Sequence, residues 1–491
     1  MSAKRIWFII IRPPCQFDFG GDTSGKDGIL SSKRIVWIAG LVLTASTVAV
    51  FFLFRPHRLP APDNVILIVV DALRADHLGC YGYERSTTPN IDAMAEKSLL
   101  CSRAYSQSNW TCPSMASLFS GTYPLVHMVY NRPEQIKKSI SVLPEDLIII
   151  PEALQPVLRT AAVTSIGWVS PETNYDGFDE FFHEDRDDAT IMARARRWIT
   201  AHREERFFLY LHLVEMHDYY WLRESRGNLR FMKPAYALSE TMKELQGLKP
   251  SAISRFFHSE LPAETFCQDD IDYLIDRYDS LLFNTDRVIG KLIQTLDSLA
   301  LRDRTLVIIT ADHGERFYEQ GRLFHGGDEL DEEVVRIPLL LHGPPLFEER
   351  KVIDEPVESI DIYPTLLDLL RMDRVKVHGL DQLQGNSLFS PDRRKIVLIE
   401  NSSRDRLKAV HADWSYIVRF EERTRHLFDL GTDPAENVDI SSRFPQVVRM
   451  MDKLIEKKLK RSRELNRALL SETVEADEKT LETLRALGYI K

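Results

Sequence analysis

Asn64-Val65-Ile66-Leu67-Ile68-Val69-Val70-Asp71 is a run of β-branched and aliphatic residues that ends on an acid. Such a run, with no polar alternation, is typical of a strand buried on both faces of a parallel sheet. Similar runs follow at Phe207 to Val214 and at Thr305 to Thr310, and a fourth from Val335 to His342 contains Pro338. The proline predicts that this fourth strand lies at an edge of the sheet or begins late.

Helical patterns alternate with these strands. Apolar residues recur at three- and four-residue spacing from Asp269 to Ala300, and a shorter helical pattern covers Ile91 to Ser98. The alternation predicts an α/β domain over residues 64–390, with a doubly wound, mostly parallel sheet. Beyond it, short strand-like runs and charged helices from about Pro445 predict a smaller C-terminal subdomain with an antiparallel sheet, residues 391–491.

The N-terminal segment predicts a membrane anchor. Ile35 to Phe54 is uncharged, mostly apolar and long enough to cross a bilayer as a helix. Residues 1–34 before it are interpreted as a cytoplasmic tail, and the proline-containing residues 55–63 after it as a linker. The basic residues Lys33 and Arg34 favour an inner N-terminus. We therefore expect a single-pass membrane protein whose catalytic domain lies outside the cytoplasm, in the periplasm or the extracellular space.

Composition excludes some classes of function. The chain of 491 residues is 44% apolar and has a net charge of -10, so there is no general electrostatic reason to expect nucleic-acid binding. Its five cysteines are scattered and form no CxxC pair, which argues against both a disulfide framework and a zinc knuckle.

Candidate metal ligands follow two of the predicted strands. Ligands of doubly wound sheets bind beyond the carboxyl ends of the strands. Asp71 follows the first strand, and Asp312 and His313 follow Thr305 to Thr310. Adjacent carboxylate and imidazole ligands suit zinc or manganese. Asp71 taken alone fits a helix N-cap equally well.

Three further side chains are candidates for contact with a substrate. Pro113 suits the first turn of a helix, which places the Thr111 hydroxyl at the positive end of the helix dipole, where phosphate or sulfate binds. A simple threonine N-cap is the commoner role of such a residue. His217 follows the strand at Phe207 to Val214, and His325 lies in a Phe-His-Gly-Gly segment. Each histidine alone is more often structural, and His212 is a neighbouring competitor.

Together these motifs resemble the sulfatase family of the alkaline phosphatase superfamily. The matching segments are VILIVVDALRADHLGCYGY from Val65, TCPSMASLFSG from Thr111, TADHGE from Thr310 and FHGG from Phe324. The resemblance implies a divalent cation, which is zinc, manganese or calcium. It implies metal ligands at Asp71, Thr111, Asp312 and His313, and contacts to the transferred group or leaving oxygen from His217 and His325.

The chain departs from the family pattern at three places. Thr111 stands where the family has a cysteine or serine that becomes formylglycine, and Met115 stands where it has arginine. The family's Gly-Lys-x-His segment has no equivalent in Ser165 to Ser170. A formylglycine hydrate can expel sulfate by collapsing to the aldehyde, whereas an esterified threonine must be attacked at sulfur or phosphorus. This difference favours phosphate esters over sulfate esters as substrates.

The sequence therefore predicts a membrane-anchored, metal-dependent hydrolase of phosphate or sulfate esters with Thr111 as nucleophile. The substrate is an ester of a glycan, a lipid or a small molecule. One alternative is a transferase of the phosphoethanolamine or phosphoglycerol type. Two others are a sulfuric ester hydrolase similar to arylsulfatases and, least favoured, a relative without catalytic activity.

Overall fold

A computed structural model describes residues 61–130, 139–220, 229–249, 252–253, 256, 262, 264–343, 346–372, 380–391, 396–469 and 472–475. The predicted tail, the predicted membrane-spanning segment 35–54 and residues 476–491 of the predicted C-terminal subdomain lie outside these ranges. Within them, the helices are all too short or too polar to cross a membrane.

The described strands and helices alternate through most of the chain. The strands are β1 (Asn64–Val70), β2 (Ser98–Tyr105), β3 (Ser139–Val142), β4 (Arg159–Thr164), β5 (Glu180–His183), β6 (Phe207–Leu213), β7 (Thr305–Ala311), β8 (Arg336–His342), β9 (Lys351–Ile353), β10 (Val357–Glu358), β11 (Val397–Glu400), β12 (Arg406–His411), β13 (Trp414–Arg419), β14 (Thr424–Asp429) and β15 (Glu472–Glu475). The helices are α1 (Pro89–Ala95), α2 (Thr111–Ser120), α3 (Pro124–His127), α4 (Ile150–Leu154), α5 (Asp188–Ala201), α6 (Glu240–Leu245), α7 (Gln268–Ser298), α8 (Glu332–Val335), α9 (Ile362–Leu369) and α10 (Pro445–Ala468).

Nine of the described strands form one large sheet. Their order is β10-β2-β8-β7-β1-β6-β4-β5, and β9 also pairs with β2. Neighbouring strands run parallel except for β8, which is antiparallel to both β2 and β7. The mixed α/β fold with a mostly parallel sheet is therefore confirmed.

The strand that contains Pro338 lies inside the sheet, so the prediction of an edge position is wrong. Its ladder with β7 begins at Leu339, just after the proline. On its other side, the ladder with β2 is interrupted between Cys101 and Ala104, opposite Pro338. The missing N–H of the proline thus falls at an irregularity where no ladder hydrogen bond is lost.

The central strands owe their continuous apolar sequence to burial on both faces. Every residue of β1, β6 and β7 is buried. The helices form two packed groups. In one group α7 packs against α1 and α5, and in the other α2 packs against α3 and α9. Because both faces of the sheet are covered, a run such as Val65 to Val70 needs no polar alternation.

The C-terminal region contains the predicted antiparallel sheet. Strands β11, β12, β13 and β14 pair in chain order, and α10 begins at Pro445 as the sequence predicts. A second hydrophobic core joins this sheet to α10 and includes Tyr123 and Ile360. A separate antiparallel pair connects β3 with β15.

Candidate active site

Two parallel strands bring the first two acids together. β1 and β7 are neighbours in which Val70 lies opposite Ala311, so Asp71 and Asp312 leave the sheet side by side at its carboxyl edge. Both carboxylates are buried. The N-cap alternative for Asp71 is wrong, because neither of its oxygens accepts a hydrogen bond from the described part of the chain.

A histidine on β6 lies beside these acids. His212 is opposite Val69 in the ladder between β1 and β6. Its Nε2 and one oxygen each of Asp71 and Asp312 all lie within 4.8 Å of one another. Burial lowers the pKa of His212 to about 4, so the imidazole is neutral at neutral pH and has a lone pair for a metal. The sequence alone did not favour His212 over His217.

The start of α2 contacts the same group. Thr111 is the first residue of the helix, and its Oγ1 lies 3.1 Å from His313 Nε2. His313 Nδ1 is 2.8 Å from the carbonyl oxygen of Gly314, which requires the proton on Nδ1 and leaves a lone pair on Nε2. This Nε2 is 3.4 Å from Asp312 Oδ2 and 3.7 Å from Asp71 Oδ1. The hydroxyl, the imidazole and the two acids therefore converge.

The remaining two predicted histidines extend this group. The ring of His325 lies 4.2 Å from that of His313 and 5.1 Å from that of His217, measured between centroids. Glu315, which the sequence reasoning missed, places Oε2 3.0 Å from His325 Nδ1. Burial raises the pKa of the Glu315 carboxyl. The structure thus brings all six predicted side chains into one buried group.

Backbone contacts hold the loops of this group against one another. Gly326 N donates a hydrogen bond of 2.8 Å to the carbonyl oxygen of Asn109, and Asn109 Nδ2 donates one of 2.8 Å to that of Glu329. A Cβ on Gly314 would lie 2.1 Å from the carbonyl oxygen of Glu333. Glycine is therefore required where the Asp-His-Gly-Glu loop meets α8.

Four buried polar atoms indicate a cation site. Both carboxylate oxygens of Asp71, Oδ2 of Asp312 and Nε2 of His212 have no hydrogen-bond partner among the described residues. Burial, followed by the charge of Asp312, raises the pKa of Asp71. Buried carboxylates without partners are costly unless they are paired or bind a metal. A divalent cation would give all four atoms a partner, so the donor set fits one.

The fold and the site define a class of protein. Carboxylate, imidazole and threonine side chains meet at the carboxyl edge of a mostly parallel sheet, where ligands of such folds bind. The chain belongs to the sulfatase family, whose model matches residues 63–372. It is accordingly a hydrolase that acts on ester bonds.

Relatives and solved structures agree with this assignment. The chain is similar to arylsulfatase K of Gallus gallus, with 24% identity over 462 residues, 82% of this chain and 83% of the relative. It is 28% identical to arylsulfatase K of Homo sapiens over 203 residues, 38% of this chain and 37% of the relative. The phosphonate monoester hydrolase of Agrobacterium radiobacter has a similar fold, with a TM-score of 0.63, 17% identity and coverage of 82% and 96%. A 2-O GAG sulfatase gives a TM-score of 0.65, 18% identity and coverage of 86% and 96%.

Proposed function

We propose that the chain hydrolyses phosphate or sulfate esters, with Thr111 as the nucleophile and phosphate esters as the preferred substrates. The observation that carries the proposal is the position of the Thr111 hydroxyl. It lies at the start of α2, 3.1 Å from His313 Nε2, beside two buried acids, three of whose four carboxylate oxygens lack a hydrogen-bond partner among the described residues. A helix N-terminus favours an incoming oxyanion.

The proposed metal ligands are Asp71, Thr111, Asp312 and His313, with His212 as a further donor. When bound, the cation would lower the pKa of a coordinated hydroxyl and offset negative charge on the ester oxygens. The mixed oxygen and imidazole donors favour zinc or manganese over calcium, which prefers oxygen ligands.

The residues of the chain support a two-step displacement. Thr111 gives up its hydroxyl proton to solvent, Oγ1 attacks phosphorus or sulfur in line, and the bond to the leaving oxygen breaks with its electron pair. His325 or His217 stabilises or protonates the leaving oxygen. Water then attacks the phosphorus or sulfur of this ester and loses a proton, the bond to Oγ1 breaks, and Oγ1 takes up a proton, which restores the hydroxyl.

The side chain at position 111 is the reason for favouring phosphorus. Threonine has no aldehyde form that could expel sulfate, so its ester must be opened by attack at the central atom. A phosphothreonine can be opened in this way by water acting in line.

Sulfate ester hydrolysis is the second candidate. The observation in its favour is the similarity to arylsulfatase K, which extends over 82% of this chain. Under this proposal the same hydroxyl attacks sulfur, and the substrates are sulfated glycans or aryl sulfates.

We also propose that Ile35 to Phe54 anchors the enzyme in a membrane with the catalytic domain outside the cytoplasm. The length and the apolar character of this run support the proposal. Partition of the full chain into membranes, compared with a chain lacking residues 1–54, tests it. Equal recovery of both in the soluble fraction would contradict it.

The test of the nucleophile is turnover by Thr111→Ala and Thr111→Ser on an aryl sulfate, a phosphate monoester and a phosphodiester. We expect Thr111→Ala to lower turnover of the preferred ester by about 1,000-fold or more, and Thr111→Ser to retain a measurable rate. Thr200→Ala, at an exposed position on α5, is the control. Full turnover by Thr111→Ala would contradict the assignment of Thr111 as the nucleophile. A strong preference for aryl sulfate would contradict the proposal that phosphate esters are the preferred substrates.

A further inference from the structure

A buried arginine lies at the edge of the candidate active site. Arg186 belongs to the loop between β5 and α5, and only 10% of its side chain is exposed. Its Nη2 lies 2.8 Å from Asp218 Oδ1 and 3.5 Å from His217 Nδ1. A buried charge is costly unless it is paired, so Asp218 both stabilises the guanidinium and fixes its position beside His217.

The charge of Arg186 acts on the groups beside it. Burial opposes the charge of Asp218, but Arg186 and His217 lower the pKa of that carboxyl below its ordinary value. Arg186 therefore contributes positive charge to a site that otherwise contains several buried acids.

Two other arginines near the site have different surroundings. Arg74 binds Asp76 and Glu319 and holds the backbone of the Asp-His-Gly-Glu loop. Arg316 binds Asp331 and the carbonyl oxygens of Phe324 and Gly326. These contacts tie both arginines to the loops that carry His313 and His325, which is a structural role.

Arg186, by contrast, lines an open cavity. The cavity has a volume of about 650 Å³ and lies between the loop of Arg186 and α7, which contributes Asn284, Arg287 and Lys291. The lining also includes Asp185, Asp187 and Glu215, and Arg186 is the lining residue that lies 3.5 Å from His217. The volume is within the range of small-molecule sites.

We infer that Arg186 binds the anionic oxygens of the ester that enters the site. The inference rests on the proposed function, because it assumes that a sulfate or phosphate ester is the ligand. A guanidinium presents a planar fork of N–H donors that matches two oxygens of a tetrahedral oxyanion, whereas a lysine ammonium acts as a point charge. The loop at Ser165 to Ser170, after β4, offers no cation for this task.

The test is binding of inorganic phosphate and inorganic sulfate to the metal-loaded full chain by calorimetry. We expect Arg186→Gln to raise the Kd of the favoured anion about 10- to 100-fold, because a charge-assisted hydrogen bond is lost. The KM for the preferred ester should rise by a similar factor, with a smaller change in kcat. Arg186→Lys should lie between the wild type and Arg186→Gln. Arg194→Gln is the control, because that arginine is partly exposed and paired with Glu184.

An anion Kd within about twofold of the wild-type value in a metal-loaded Arg186→Gln chain would overturn the inference. Loss of bound metal by Arg186→Gln, with wild-type anion affinity in Arg186→Lys, would also overturn it, because the arginine would then only support the fold. If Arg186→Gln does not fold, a weakened anion affinity in Arg186→Lys supports the inference and an unchanged affinity overturns it. Anion binding requires no turnover, so the two proposals can fail separately. Arg186 can prove unimportant for anion binding while Thr111 is the nucleophile, and Thr111 can prove not to be the nucleophile while Arg186 binds the anion.

Discussion

The protein contains two buried groups of charges that are neutralised in different ways. In the C-terminal subdomain, the fully buried Lys408 on β12 lies 2.7 Å from Glu332 and 2.7 Å from Glu436. At the candidate active site, Asp71 and Asp312 are equally buried, but within the described part of the chain neither carboxylate forms an ion pair with a lysine or arginine. Lys408 therefore contacts both acids of the first group, whereas Arg186 near the second group is paired with Asp218.

This difference shows what each group requires. Burial opposes the charge of Lys408, but Glu332 and Glu436 together raise its pKa above the ordinary value, so the lysine is a permanent cation. Lys408 also donates a hydrogen bond of 3.1 Å to the carbonyl oxygen of Leu330 and thereby joins the C-terminal sheet to the segment beside the active site. Asp71 and Asp312 would be neutralised in a comparable way by a cation bound from solution.

The largest expected effect is that of Asp312→Asn. Removal of one carboxylate from the proposed metal site should lower turnover at saturating metal by about 1,000-fold, or ~4 kcal/mol in activation free energy. Steady-state assays on the preferred ester measure the change. Asp297→Asn, at an exposed position on α7, should leave turnover unchanged. Wild-type turnover by Asp312→Asn would show that Asp312 is not a ligand of the metal.

Lys408→Met tests the other group. It leaves Glu332 and Glu436 buried without their cation, so the free energy of unfolding should fall by about 3–5 kcal/mol. Urea denaturation measures the fall, and Lys453→Met on the exposed side of α10 is the control. Turnover well below the melting temperature should stay near wild type. A large loss of turnover in a folded Lys408→Met chain would contradict the separation of the two groups.

His212→Gln should weaken metal binding with little effect on the fold. We expect a loss of about 10- to 100-fold in metal affinity, because a neutral imidazole beside the two acids is replaced by a weaker donor. Competition with a chromogenic chelator measures the affinity, and His426→Gln, on β14, is the control. Unchanged metal affinity would show that His212 is only a neighbour of the site.

The smallest expected effect is that of Glu315→Gln. The amide oxygen can still accept a hydrogen bond from His325 Nδ1, at present 3.0 Å from Glu315 Oε2, so the ring should keep its orientation. We expect kcat to fall about tenfold or less, ~1.4 kcal/mol, with metal content unchanged. A fall as large as that of Asp312→Asn would mean that Glu315 does more than orient His325.

The sequence predicts the centre of the fold well, because buried parallel strands have continuous aliphatic runs. β1, β6 and β7 fall within a residue of their predicted bounds. β2 was not predicted, because Ser102 and Arg103 interrupt its apolar pattern where its ladder with β8 is irregular. The position of β8 inside the sheet depends on the order of the strands, and the pattern of apolar residues within a strand does not predict that order.

The same limit applies to the site. Asp71 and Asp312 could be predicted because each follows a recognisable strand, and the register then places them side by side. His212 could not be preferred to His217 without the knowledge that β6 lies next to β1. Glu315 ends the TADHGE segment, but its contact with His325 could not be predicted without the fold, and the same holds for the contact of Arg186 with His217.

The most direct test of the contrast between the two groups is the metal content of the purified chain, measured by inductively coupled plasma mass spectrometry after removal of loosely bound ions. We predict one tightly bound divalent ion per chain in the wild type and in Lys408→Met, and none in the Asp71→Asn, Asp312→Asn double variant. A wild type without a bound divalent ion, or a double variant that retains it, would contradict the proposed metal site.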